Sequence, residues 1–184
     1  MTLTNNQLCR LGETAVALEL MKRGYDVINL NESLKNYKGA DLLCVNGAGS
    51  KEDIYIQVKT GKSPKIDCGL TADPKTGVIA NLDEKVTCPW VFVHVTELTT
   101  VQGNNELKFD FYILTCNETR ELLRSAHHWY VKETYSGRVL SKPIRVSVDV
   151  PWLEAKGYNA TKLHKPFTST LKQSAKDQWD KITL

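Results

Sequence analysis

Two extended runs separated by a turn-rich stretch constrain this chain more than any other feature. Ala40–Val45 and Asp53–Lys59 read as strands, and Asn46-Gly47-Ala48-Gly49-Ser50-Lys51 suits a hairpin loop between them. On the second strand Tyr55, Gln57 and Lys59 share one face, and Ile54, Ile56 and Val58 share the other. On the first strand Asp41 and Leu43 share a face. Paired positions in an antiparallel hairpin have a constant sum. Pairing Asp41 with Gln57 centres the turn at Gly49, and pairing it with Lys59 centres it at Ser50. Both centres fall inside the loop, so Asp41, Gln57 and Lys59 converge on one face. A slip of one residue would separate them.

Three polar side chains on an otherwise apolar strand pair require a reason. One is a cross-strand ion pair between Asp41 and Lys59 on a solvated sheet face. The other is a site, and the helix before the hairpin bears on the choice. Gln7–Arg23 reads as a helix capped by Asn5 or Asn6 and ended by Gly24. Leu8, Leu11, Ala15 and Leu18 form one apolar stripe, and Cys9, Val16, Ala17 and Leu20 form a second. Such a helix is expected to be buried on two sides. Glu13 falls within the second stripe. A carboxylate there is costly unless it is paired or binds a metal. If the stripe packs on the hairpin, Glu13 points at Asp41, and a divalent cation relieves the repulsion between them.

At these residues the chain resembles the PD-(D/E)XK nuclease superfamily, with its Holliday-junction-resolvase-like and restriction-enzyme-like branches nearest. The motifs are Gly12-Glu13, Gly24-Tyr25-Asp26-Val27, Gly39-Ala40-Asp41 and Gln57-Val58-Lys59-Thr60. They cover Leu8 to Lys62, roughly a third of the chain. The resemblance implies a restriction-endonuclease-like α/β (α+β) fold, a mixed sheet core flanked by helices. It implies that Asp41 and Glu13 are carboxylate ligands of Mg²⁺, which Mn²⁺ can replace. The Val58 carbonyl would be a further ligand and Lys59 the catalytic cation. Gln57 stands where the family usually has Asp or Glu. Its amide oxygen can still coordinate a hard cation, without charge. Ala40 stands where the family's name has Pro. The implied function is a Mg²⁺-dependent endonuclease hydrolysing phosphodiester bonds in DNA. The alternative is an inactive module of the same fold that binds nucleic acid or a protein partner. Cutting both strands needs two sites, so the resemblance also implies a homodimer. Asp41→Asn is expected to leave the fold intact and, by relieving repulsion, to raise the thermal midpoint without metal.

The rest of the chain reads more plainly. Tyr25–Leu30 is a strand and Asn31–Lys38 a loop. Thr60–Thr87, rich in Gly, Pro, Asp and Lys, reads as a long loop with a short strand at Gly77–Ala80. Trp90–Val95 and Phe109–Leu114 are strands joined by the polar Thr99–Asn105, and Asn117–Tyr130 is a helix. Ile144–Val150 alternates as a half-buried strand. Pro151 starts a short helix that Gly157 closes, and a last helix covers Thr168–Lys181. One domain is expected over residues 1–184, with the motif core at 8–62 and a helical and strand extension at 117–184.

Lys62 and Lys65 follow the site and are placed to meet a phosphate backbone. Arg120 and Arg124 are spaced to do so too, although a solvated helix face is the ordinary reading. His127-His128 reads as a polar helix end, because adjacent helical positions do not share a face. Gly61-Lys62-Ser63 is no phosphate-binding loop, because Ile56 stands where the pattern requires glycine. The tail Lys162–Lys181 either contacts nucleic acid or docks Trp179 on the body and leaves its lysines in water.

The net charge of +3 permits nucleic-acid binding without arguing for it. Five widely spaced cysteines with no CxxC pair point to reduced, mostly buried thiols in a cytoplasmic protein rather than a zinc site. The polar start Met1–Asn6 shows no secretory pattern. No apolar run approaches the roughly 18 residues that span a membrane.

Overall fold

A computed structural model describes residues 3–33, 39–45, 52–99, 105–129, 142–151 and 171–182. The elements in order are α1 (Asn5–Met21), β1 (Asp26–Asn29), α2 (Leu30–Ser33), β2 (Leu42–Val45), β3 (Ile54–Gly61), β4 (Lys65–Ala72), α3 (Leu82–Lys85), β5 (Trp90–Thr99), β6 (Asn105–Leu114), α4 (Cys116–Trp129) and β7 (Ile144–Asp149). Two 3-10 turns follow at Gln173–Ala175 and Trp179–Lys181. The architecture is mixed α+β. A five-stranded sheet runs β1-β2-β3-β5-β6, and β4 and β7 make a separate two-stranded sheet. β1, β2 and β3 are antiparallel neighbours, β3 and β5 are parallel, and β5 and β6 are antiparallel.

The alternation of β3 divides two cores. Ile54, Ile56 and Val58 pack with Val16 and Leu20 of α1, with Val91, Val93 and Ile113, and with Trp179. On the opposite face, Ala40, Trp90 and Phe92 pack with Ile66, Cys68, Val146 and Val148 of the small sheet and Leu123 of α4. The sheet is therefore covered on both faces, which is why β5 reads as a continuous apolar run.

α1 begins at Asn5, two residues earlier than the expected Gln7, and the asparagines lie inside it. Its cap is Thr4, whose hydroxyl accepts from Gln7 N at 3.3 Å while the Gln7 side chain accepts from Thr4 N at 2.9 Å. The helix is buried on one side only, through Gly12, Glu13, Val16 and Leu20. Leu18 of the other stripe is exposed, and so is Cys9. α1 lies against β3 so closely at Gly12 that a Cβ there would stand 1.9 Å from Thr60 Oγ1 and 2.8 Å from Thr60 Cβ.

Several other expectations change. The stretch read as a long loop contains β4 and α3. The start of the loop after β1 is the short helix α2. The tail is no single helix between Leu171 and Ile182, because Asp177 has φ +54° and separates the two 3-10 turns. Trp179 does dock on the body. It is buried with its ring 5.3 Å from Phe111, and the Arg23 guanidinium lies 4.7 Å from its centroid. The hairpin loop at 46–51 and the proposed short helix to Gly157 lie outside the described residues. Among the described residues no helix is long and apolar enough to cross a membrane.

Two outcomes are expected from this packing. Gly12→Ala should lower stability by about 1–3 kcal/mol in denaturant unfolding, because the Thr60 Cβ is fixed to the strand backbone and cannot rotate away. Adding Thr60→Ala should recover part of the loss. Burial pushes the Cys44 and Cys68 thiols up to about 12 and Cys88 to about 11. A thiol reagent at pH 8 should therefore label exposed Cys9 in the native protein, and Cys44, Cys68 and Cys88 only on unfolding, as read by mass spectrometry.

Candidate functional site

β2 and β3 pair as Leu42↔Ile56, Leu43↔Tyr55 and Cys44↔Ile54. Extending that register by one step sets Asp41 opposite Gln57, the pairing centred at Gly49. The ladder stops there. Asp41 N still donates to Ile56 O at 2.9 Å, and Leu30 N donates to Asp41 O at 2.9 Å, so the Asp41 backbone is held from both sides. Beyond this point β3 continues against β5 alone, pairing Gln57–Gly61 with Trp90–His94. β3 thus leaves β2 at Asp41, and its freed edge is capped by a side chain.

That side chain is the Asp41 carboxylate. Val58 N donates to Asp41 Oδ2 at 2.7 Å, and the Gln57 amide donates to the same oxygen. In an extended strand a residue's N–H and C=O leave on the same edge, so the Val58 carbonyl also opens on this gap. Asp41 Oδ1 accepts from Asn31 Nδ2 at 2.9 Å. The same nitrogen donates to Glu13 Oε1 at 3.1 Å, and Asn29 Nδ2 donates to Glu13 Oε2 at 3.0 Å. Glu13 is 8% exposed. Burial pushes its carboxyl above the ordinary carboxylate range, and the Asp41 charge pushes the same way. The hydrogen bonds from Asn29 and Asn31 pull against both.

Lys59 shares the Asp41 and Gln57 face of β3. It forms no ion pair among the described residues; its ammonium lies 5.3 Å from the centroid of the Trp90 ring. The cross-strand ion pair with Asp41 is therefore not formed. A Cβ on Gly69 of β4 would lie 3.8 Å from Lys59 Nζ, so the small sheet walls this side. Partial desolvation raises the Cys9 thiol. Glu13 and Asp41 add to that and Lys59 opposes it, as expected of a thiol beside all three.

The structure thus joins Glu13, Asp41 and Gln57 through hydrogen bonds and sets Lys59 on their strand. Lys62 is engaged with Glu97 of β5, and exposed Lys65 is the register partner of Asp149 on β7. Arg120 and Arg124 both hold Asp83 of α3, and Arg120 also donates to the Val86 and Asp83 carbonyls; they brace α4 on α3. His127 and His128 fall in the last turn of α4. Asn29 and Asn31 are the residues that sequence reasoning missed.

Among the described residues no three His, Cys, Asp or Glu side chains gather as a metal-binding group. The donors available are the Asp41 and Glu13 carboxylates, the Val58 carbonyl and, once the amide turns over, the Gln57 oxygen. All are hard oxygen ligands of the kind that suits Mg²⁺. No family model matches the chain, and no curated protein matches it.

The Asp41 carboxylate has three donors, which reverses the expectation for Asp41→Asn. The new amide sets N–H against N–H at one of them. The variant should lose about 1–3 kcal/mol in the absence of metal rather than gain stability. Lys59→Met should change stability by less than about 1 kcal/mol, and a double-mutant cycle between Asp41 and Lys59 should give a coupling below about 0.5 kcal/mol.

Proposed function

We propose that this chain is a Mg²⁺-dependent endonuclease that hydrolyses phosphodiester bonds in DNA on a restriction-endonuclease-like core. One observation carries the reading. Where β3 leaves β2, Asp41 stands opposite Gln57, Glu13 shares an amide donor with Asp41, and Lys59 follows on the same strand face. The mixed sheet covered on both faces agrees with the fold class.

Asp41, Glu13, the Val58 carbonyl and the Gln57 amide oxygen would hold the cation. Bound there, Mg²⁺ supplies a water made nucleophilic near neutral pH and charge relief at the phosphate. Lys59 adds a second positive charge for the developing phosphate charge. Held over an aromatic face instead of a carboxylate, its ammonium keeps that charge for the substrate. Exposed Lys65 would meet the phosphate backbone, and Lys62 would do so by exchanging Glu97 for a phosphate. A cytoplasmic location and a homodimer for cutting both strands go with this reading.

A second reading has its own observation. The Gln57 amide turns its N–H toward Asp41, so the carboxylate is balanced by neutral donors. That favours a module of the same fold that binds nucleic acid or a protein partner and does not cut.

Plasmid, linear and branched DNA incubated with Mg²⁺, Mn²⁺ or EDTA separate the two. The nuclease should cut with either metal and not in EDTA, with Mn²⁺ effective at lower concentration. Gln57→Glu should lower the metal concentration needed. Gln57→Ala should raise it without weakening DNA binding. Lys59→Ala should slow cleavage by about 100-fold or more. If the wild type never cuts DNA or RNA while Gln57→Glu does, the binding module is the correct reading.

A further inference from the structure

Asn31 occupies an unusual position. Its Nδ2 gives its two hydrogens to two different carboxylates, Asp41 Oδ1 at 2.9 Å and Glu13 Oε1 at 3.1 Å. Its backbone is held as well. Asn31 N and Glu32 N donate to the Asn29 side-chain oxygen at 3.0 and 3.2 Å, and the Asn29 nitrogen donates to the other Glu13 oxygen. Asn29 therefore caps α2 with one end of its amide and holds Glu13 with the other. Arg10 and Glu32 form a further, exposed ion pair between α1 and α2. The result sets the Asn31 amide nitrogen at the point where the two acids converge.

An amide nitrogen is a donor only and cannot coordinate a cation. A cation held by the same two oxygens must lie within about 2.0–2.6 Å of each. The nitrogen, at 2.9 and 3.1 Å from those oxygens, already stands in that space. Nitrogen and cation exclude each other. Resting on the metal-dependent reading above, we infer that Asn31 is a positioning residue that competes with a divalent cation for the gap between Glu13 and Asp41, and so sets the cation concentration at which the site fills. It holds the acids together against their repulsion, and the cation takes over that task by displacing it.

Calorimetric titration of the full chain with Mn²⁺ and with Mg²⁺ tests this, using the wild type, Asn31→Ala, Asn31→Ser, Asn31→Asp and Glu13→Gln. Asn31→Ala should bind Mn²⁺ about tenfold more tightly than the wild type, and Asn31→Asp, which turns the competitor into a ligand, more tightly still. Asn31→Ser, whose hydroxyl is too short to bridge, should follow Asn31→Ala and serves if that variant does not fold. Thermal midpoints give an independent readout. In EDTA, Asn31→Ala should melt below the wild type, and saturating Mn²⁺ should close the gap; a merely structural asparagine would leave the variant equally lower in both. If Glu13→Gln abolishes binding but the Asn31 variants bind no more tightly than the wild type, the competition is refuted and the acid pair remains the cation site. If neither the wild type nor any Asn31 variant binds Mn²⁺, or if Glu13→Gln binds it undiminished, the metal-dependent reading falls, and this inference with it.

Discussion

The register of β2 on β3 is the constraint on which the rest depends. It is fixed by burial. Leu42 and Cys44 face the α1 core together with Ile54, Ile56 and Val58, and a slip of β2 by one residue would turn Leu42 and Cys44 out. The same register delivers Asp41 to the first position after the ladder ends. Its carboxylate can then satisfy a backbone N–H that has lost its strand partner. The site is thus a consequence of where a ladder stops. The two side chains that β3 contributes point away from α1 because the residues between them point toward it.

Two buried acids in one gap need compensation of the right size. At a separation of about 5 Å and an effective dielectric near 20, two unit charges repel by about 3 kcal/mol. A hydrogen bond to a charged group contributes about 1.5–3 kcal/mol. Glu13 receives two amide donors, and Asp41 receives two amide donors and a backbone N–H. Neutral donors therefore offset part of that repulsion, although burial and the Asp41 charge still hold the Glu13 carboxyl above its ordinary range. None carries a positive charge. The two carboxylates are thus met by neutral donors, while the Lys59 ammonium is held aside over Trp90.

Elements with a clear period were legible in the sequence. The hairpin strands, α1, α4 and β7 all show alternation or helical spacing, and Asp41, Gln57, Lys59 and Glu13 follow from that spacing. β4 was hidden although Ile66, Cys68, Leu70 and Ala72 alternate. Its Gly, Lys and Asp content resembles a loop, and its register shifts between Asp67 and Leu70. Asn29 and Asn31 were hidden for a different reason. A polar residue at a strand end has many local uses, and only the return of α1 and β2 brings Glu13, 16 and 18 positions away, within their reach. No window of sequence contains that contact. In the tail, the lysine spacing fits a helix, and Asp177 in the left-handed region breaks it.

The hidden strand also matters to the site. Lys59 is not carried by β3 alone; it lies between the Trp90 ring and the β4 backbone at Gly69. Gly69 has φ +68°, a conformation that L side chains rarely adopt, and its N–H is held by Asp67 Oδ1 at 2.7 Å. Asp67 is in turn engaged by Arg145 of β7. The bulge that made β4 unreadable is therefore the feature that brings its backbone against the lysine. A side chain at that position would strain the backbone and stand in van der Waals contact with the ammonium. The small sheet, which carries neither Glu13 nor Asp41, in this way limits where the Lys59 ammonium can go, so the geometry of the site belongs to both layers of the fold.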